Sequence, residues 1–249
     1  MSDTRAQSIT ERLTSTERER AWPNVRPKDA ATLIIIDRKG PKPKVLMGRR
    51  HAGHKFMPGK FVFPGGRIEL GDRSMPVAGA LHPRAEAALL ARVIRPSARR
   101  ARALALAAIR ETFEETGLLL GTREYGAPED VPEGAWSAFR EHGVFPDLET
   151  LQVIARAITP PRRPRRFDTR FFSVDRSAIA AEIEGVVGPE AEFTELAWVT
   201  IDEAKLLDLP VITLTVLEDL EERIAQGFAP ELPVPFYREQ RGRFVRELL

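Results

Sequence analysis

The 249-residue chain contains no cysteine, so disulfides and thiolate metal centres are excluded and the inside of a cell, the cytoplasm, is the expected address. Histidine is scarce as well. His51 and His54 have the H-x-x-H spacing, but with only His82 and His142 besides, they read as loop residues rather than a zinc site. Aromatic residues make up 7% of the chain, too few for a stacking platform along single-stranded nucleic acid. Trp22, Trp136 and Trp198 read as core or interface residues. No apolar run is long enough to span a bilayer, so no membrane partner is expected. No G-x-x-x-x-G-K-[ST] loop occurs, which removes the P-loop nucleotidases. Internal repeats and low-complexity tracts are absent. The first 21 residues are polar and carry both signs, Arg5, Arg12 and Arg18 against Asp3, Glu11, Glu17 and Glu19. That pattern fits neither a secretory signal nor a transit peptide, and residues 1–25 are expected to form a flexible arm.

What is present is a soluble globular composition, 43% hydrophobic and 30% charged, enough for one domain over residues 26–249. The net charge is only +2, but arginine is clustered. One cluster comprises Arg92, Arg95, Arg99, Arg100 and Arg102; the other comprises Arg162, Arg163, Arg165, Arg166 and Arg170. Such blocks suit an anionic partner and equally suit a solvated surface, so alone they decide nothing.

Strands are expected at 31–37, 44–48 and 60–63, the last running into Pro64-Gly65-Gly66. Pro83 can open a helix through Arg84 to Ile94. Ser97 can cap a second helix that runs to Thr116 and stops at Gly117. Further helices are expected at 134–142, 148–155, 201–207 and 212–226, and strands at 156–159, 169–174 and 193–199. The interleaving predicts a layered α/β domain.

The helix ending at Thr116 carries the chemistry. Leu106, Ile109 and Phe113 fall on one side, and Glu111, Glu114 and Glu115 on the other. Like charges at these spacings disfavour a helix by roughly 0.2–0.5 kcal/mol per pair, and acids near its C-terminal end oppose the dipole. A divalent cation reverses both penalties. Magnesium suits such a set because it prefers carboxylate oxygens and shares them with waters and phosphates. An exposed acidic face would show the same spacing.

The surroundings tip the balance. Gly66 follows Phe63-Pro64-Gly65, Asp72 lies six residues beyond it, and Arg110-Glu111-Thr112-Phe113-Glu114-Glu115-Thr116-Gly117-Leu118 forms the helix end. This resembles the signature of the nudix hydrolases, G-x5-E-x7-R-E-U-x-E-E-x-G-U, with Asp72 at the usual glutamate and Thr112 at the first aliphatic position. Residues 73–109 stand where the family pattern has seven, so about 30 extra residues interrupt the box. A loop can absorb such a length, because closure entropy grows slowly. The split box is similar to a subgroup whose animal members cleave coenzyme A and its acyl esters. Further similar stretches are Arg26–Ala31, Ile109–Leu120 and Thr159-Pro160 with Arg166–Phe172. The fuller motif of the bacterial coenzyme A pyrophosphatases fails, since His54 and Pro58 stand at its second arginine and its glycine.

The resemblance implies an α/β/α nudix sandwich with a mixed sheet and a helical insertion at about 73–100, placed as a flap near the substrate entrance. It implies a hydrolase acting on acid anhydrides, cutting a pyrophosphate in a nucleoside diphosphate linked to another moiety by metal-activated water. Coenzyme A or an acyl-coenzyme A is the first substrate to consider. The cofactor would be Mg2+, with Mn2+ as the alternative. Glu114 and Glu115 would hold the metal, and Glu111 would be a further ligand or orient a water. Arg110 would pair with a carboxylate, and Gly65 and Gly66 would let the backbone approach metal and phosphates. Glu190, Glu192 and Glu195 are candidates for a general base, Glu192 serving as base or extra ligand. Arg166 and Arg170 would clamp substrate phosphates. Two other readings stand beside this one: a nucleotide-sensing module that does not cut, and an RNA 5′-end pyrophosphohydrolase. The first is disfavoured by the intact glutamates, the second by the shortage of aromatics; a homodimer stays open.

Overall fold

The computed structural model describes every residue except 1, 2, 17, 19, 55 and 56, so Glu17 and Glu19 of the expected arm lie outside the described residues. In chain order the elements are α1 (Asp3–Ser15), β1 (Lys28–Asp37), β2 (Lys44–Arg50), β3 (Phe61–Val62), β4 (Gly65–Arg67), α2 (Pro83–Leu90), α3 (Ala98–Thr116), β5 (Leu118–Leu120) and α4 (Ala135–Glu141). They continue with β6 (Gln152–Ile158), β7 (Phe167–Asp175), β8 (Ile179–Glu182), β9 (Phe193–Thr200), α5 (Ile201–Ala204), α6 (Val211–Ala225), β10 (Pro235–Gln240) and β11 (Arg243–Leu248).

The centre of the fold is β1. Its Leu33–Ile36 run is fully buried, because both faces of the strand are covered. Leu33 and Ile35 point into a core layer shared with Leu104, Ala108 and Ile109 of α3. Ile34 and Ile36 point the other way, to Val216, Leu217 and Leu220 of α6. The result is an α/β/α sandwich around a mixed sheet in the order β11-β10-β6-β7-β1-β2-β3, with β4 joined to β1 and β9 to β2. β1 pairs in parallel with β7 from Lys28↔Phe167 to Ile36↔Asp175. Its N-terminal half pairs antiparallel with β4, which sets Gly66 beside Ala31 and Gly65 beside Thr32. A separate ladder joins β5 to β8.

α3 begins and ends where its sequence signals place it. Ser97 Oγ accepts from Arg100 N at 3.2 Å, and Gly117 closes the helix at φ 78°, where a side chain would strike the Ile183 carbonyl.

Four expectations change. Residues 148–155, expected as a helix, contain the start of β6. Val153, Ile154 and Ala155 are all buried, and a short apolar run covered on both faces has no period to distinguish helix from strand. The expected flexible arm contains α1, which docks through Ile9 and Leu13, one turn apart and both buried. Arg12 fixes it with a two-pronged ion pair to Glu218 at 2.8 and 2.6 Å. Segment 73–100 is not a flap over the site. Ala85, Ala88 and Leu89 of α2 are buried in the core layer against α3 and β6, and nothing from 73–100 lines the main cavity. Finally, β10 and β11 were not foreseen. They form a hairpin turning at Arg241-Gly242, both at positive φ, a left-handed turn chemistry that suits tight hairpins.

Candidate active site

Glu111 and Glu115 lie one turn apart on the side of α3 that faces β4. Gly65 N–H donates to Glu115 Oε2 at 2.9 Å. A Cβ at Gly65 would come within 2.5 Å of the Ala31 carbonyl oxygen, and one at Gly66 would fall on the Glu111 carboxyl group. Both glycines are therefore required by close approach, not by turn geometry.

Arg110, almost fully buried, ties α3 to the end of β4 and the segment that follows it. Its Nε and Nη2 donate to Asp72 at 2.9 and 3.2 Å, Nη2 also to the Arg67 carbonyl at 2.7 Å, and Nη1 to Glu114 Oε2 at 2.6 Å. Asp72 is completely buried and takes further bonds from Trp136 Nε1 at 3.3 Å and Glu69 N at 2.7 Å. A carboxylate one methylene shorter than glutamate is thus saturated by α3, α4 and its own loop together. Removing one partner of such a buried pair is strongly destabilising.

Above this floor opens a cavity of about 830 Å³. Glu111, Glu115, Gly65 and Gly66 line its floor; Arg50, His51 and Glu192 stand on one side, and Arg165, Phe167 and Thr169 on the other. Burial pushes the Glu115 carboxyl well above the usual carboxylate range, the neighbouring Glu192 pushes the same way, and the Gly65 N–H opposes them. Burial likewise pushes Glu111 up to about 7 against the pull of Arg110, with Glu114 adding to the rise. At both groups burial is the first cause of the rise, and Arg110, 3.0 Å from Glu111, offsets it there only in part.

No protein-family model and no curated protein matches the chain. Among solved structures, a nudix hydrolase from Alicyclobacillus acidocaldarius is similar over 78% of this chain and 90% of its own, at 28% identity and TM-score 0.56. The fold is that of the nudix hydrolases. The nudix domain of Shewanella oneidensis NrtR, solved with ADP ribose, shows 15% identity over 90% and 99% of the two chains, at TM-score 0.45. The nudix hydrolase RenU of M. smegmatis shows 20% over 80% and 86%, at TM-score 0.40. With Glu111 and Glu115 in place, the likeness to the Alicyclobacillus enzyme supports a hydrolase acting on pyrophosphate bonds. Among the described residues, no helix is long and apolar enough to cross a membrane.

Within this nudix fold the structure gathers some of the expected site residues and separates others. Glu111, Glu115, Gly65, Gly66 and Glu192 meet in the cavity, and Glu190 lines it too. Glu114 turns outward to Arg110, with its side chain 40% exposed, and Glu195 lies on β9 outside the lining. Arg166 and Arg170 are not in the lining either. Arg166 donates to the Thr159 carbonyl, Asn24 Oδ1 and the Val25 carbonyl. Arg170 is buried on the opposite face of the sheet against Asp29 and Asp168. Strand parity explains this, since Phe167, Thr169 and Phe171 share the cavity side while Asp168 and Arg170 share the other. Arg165, just before the strand, is the arginine of this cluster that reaches the rim. Arg50 was missed. No sequence signal foretells the irregularity at Arg49/Arg50 that aims it. His51 and His54, read as loop residues, do line the cavity. Among the described residues, however, no three acidic or histidine side chains form a ready cage for a metal.

Proposed function

We propose that the chain hydrolyses the pyrophosphate linkage of a nucleoside diphosphate joined to another moiety, with a divalent cation held by Glu111 and Glu115. The observation that carries this reading is the convergence of these two buried carboxylates with the bare backbone of Gly65 and Gly66 on the cavity floor. Nudix hydrolases generally use divalent metals such as Mg2+, and the donor set here fits one. It offers hard oxygen ligands, few enough that substrate phosphates and waters complete the shell. Bound there, Mg2+ would neutralise the phosphates and acidify a water. Glu114 would serve the site only by turning away from Arg110.

The remaining work falls to this chain's own groups. Glu192 stands beside Glu115 at the cavity wall, and its Oε2 would take the proton of the attacking water. Arg110 and Asp72 keep α3 fixed against the β4 loop, so that the carboxylates do not drift during turnover. Arg165 would meet an anionic part of the substrate at the rim, while Phe167 and Phe171 offer apolar surface.

Coenzyme A or an acyl-coenzyme A is the first substrate to test, because the box is interrupted between Asp72 and Arg110. The panel adds ADP-ribose, NADH, dinucleoside polyphosphates and capped RNA, each incubated with Mg2+ and with E115Q as blank. Cleavage of one compound that E115Q abolishes is the expected result. Cleavage of coenzyme A would favour the interrupted-box subgroup, and cleavage of capped RNA the RNA-end reading. Tight binding without cleavage would replace hydrolysis with nucleotide sensing.

A further inference from the structure

β2 pairs regularly with β9 from Lys44↔Thr200 to Arg49↔Glu195, then shifts so that Arg50 stands opposite Phe193. Such an irregularity re-aims a side chain. Arg49 lies outside over the Phe61 ring, 5.9 Å from its centroid, while Arg50 enters the cavity wall with its side chain 14% exposed. His51 N donates to the Glu192 carbonyl at 3.0 Å, which holds the loop before β9 against this turn.

The consequence is a guanidinium set between two carboxylates. Arg50 Nη2 is hydrogen-bonded to Glu192 Oε1 and lies 3.6 Å from Glu115 Oε1. Glu192, half-exposed, stands beside the buried Glu115, and like charges so placed disfavour one another. In the protein alone, Arg50 offsets this repulsion. A divalent cation held at Glu115 would draw the charge of that carboxylate away from Glu192 more fully and would itself repel the guanidinium. A guanidinium so released beside a bound pyrophosphate has the planar fork that phosphate oxygens accept.

We propose that Arg50 is an internal counter-cation, which holds Glu115 and Glu192 before a divalent cation binds and then turns to the phosphates of the substrate. The proposal rests on the metal-holding role of Glu115 given above. Arg50 is a positioning residue in the free protein and a substrate contact in the loaded one.

The test is calorimetric titration of the substrate-free full-length protein with Mg2+ alone, comparing wild type, R50Q, R50K and E115Q. R50Q is expected to bind Mg2+ about tenfold more tightly, the scale on which one close charge alters a carboxylate's affinity for a competing cation. R50K, which keeps the charge, should stay near wild type. Mg2+ should also raise the melting temperature of R50Q by more than that of wild type. In kinetics with a cleaved compound, R50Q should raise KM more than it lowers kcat. Binding that disappears in E115Q but is no tighter in R50Q overturns the counter-cation and leaves the metal site standing. Binding that survives E115Q removes the metal site and the counter-cation together. Should R50Q fail to fold, the wild-type protein answers through the Arg50 Nε–H resonance, assigned by its absence in R50K. Movement that saturates with Mg2+ is expected, and a stationary signal overturns the proposal.

Discussion

The two faces of β7 carry different kinds of residue and do different work. On one face Phe167, Thr169 and Phe171 line the cavity. On the other, Arg170 stands directly across from Arg156 of β6, and Asp168 directly across from Asp29 of β1. Like charges opposite each other on neighbouring strands repel, so neither pair could stand alone. Together they form an alternating patch. Arg156 donates to both oxygens of Asp168 at 2.8 and 2.7 Å, Arg170 bridges Asp168 and Asp29, and Arg100 of α3 closes the group on Asp29 with two bonds of 2.7 Å. Arginine there secures the strand ends that carry the cavity wall. The arginine of this cluster within reach of a ligand is Arg165, one residue type repeated a few positions earlier with a different role.

The comparison can be broken at either face. The largest effect is expected at the floor of the cavity: Glu115→Gln should lower turnover by roughly 10²–10⁴-fold, the scale of losing a metal-positioning or acid–base group. Its melting temperature should not fall, because glutamine keeps an acceptor for Gly65 N–H and brings no charge to the buried floor. On the opposite face, Arg156→Met leaves Asp168 without its two-pronged partner and should cost about 3–5 kcal/mol of stability in denaturant melts. KM of the protein that remains folded should stay within about twofold of wild type, since the pair is remote from ligand. A large KM change at full stability would mean that this patch belongs to the site.

Asp219 sharpens the contrast between paired and weakly paired buried acids. Its carboxylate accepts from Tyr237 Oη at 3.0 and 2.9 Å, but the Arg246 guanidinium is 3.9 Å away. Burial pushes it up to about 7, against the Tyr237 hydrogen bond and Arg246. The unfolded chain releases this proton near pH 4 and the folded protein retains it to about 7. Stability from this group is therefore greatest at low pH and falls as pH rises through that window. Asp219→Asn keeps the acceptor for Tyr237 and should flatten the decline, by about 1–2 kcal/mol between pH 5 and 7.5. Parallel pH–stability curves for the two proteins would refute it. The smallest effect is expected at the rim. Arg165→Ala should raise KM about three- to tenfold with kcat and melting unchanged, whereas Arg166→Ala should move stability more than KM.

Much of this architecture was readable before any coordinates. The Ser97 cap, the Gly117 stop and the apolar side of α3 are local signals, and local chemistry decides them. The apolar run at 31–37 announced the strand β1, and the structure adds that it is covered on both sides. The Gly65-Gly66 pair and the Glu111–Glu115 spacing located the cavity floor. Three things depend on the tertiary arrangement and were not readable. Which parity of β7 meets the cavity follows from its place between β6 and β1, so Arg166 and Arg170 could not be told from Arg165. The aim of Arg50 follows from an irregular pairing with β9. The docking of α1 needs Glu218, more than two hundred residues away, to complete its anchor.

The most direct measurement is phosphorus NMR of the best-cleaved compound, run with Mg2+ in water enriched in oxygen-18. The account predicts two phosphate-bearing products, with label on one phosphorus of the original pyrophosphate, and no reaction without Mg2+ or in Glu115→Gln. Release of inorganic phosphate from a monoester, or cleavage that persists in Glu115→Gln, would contradict it.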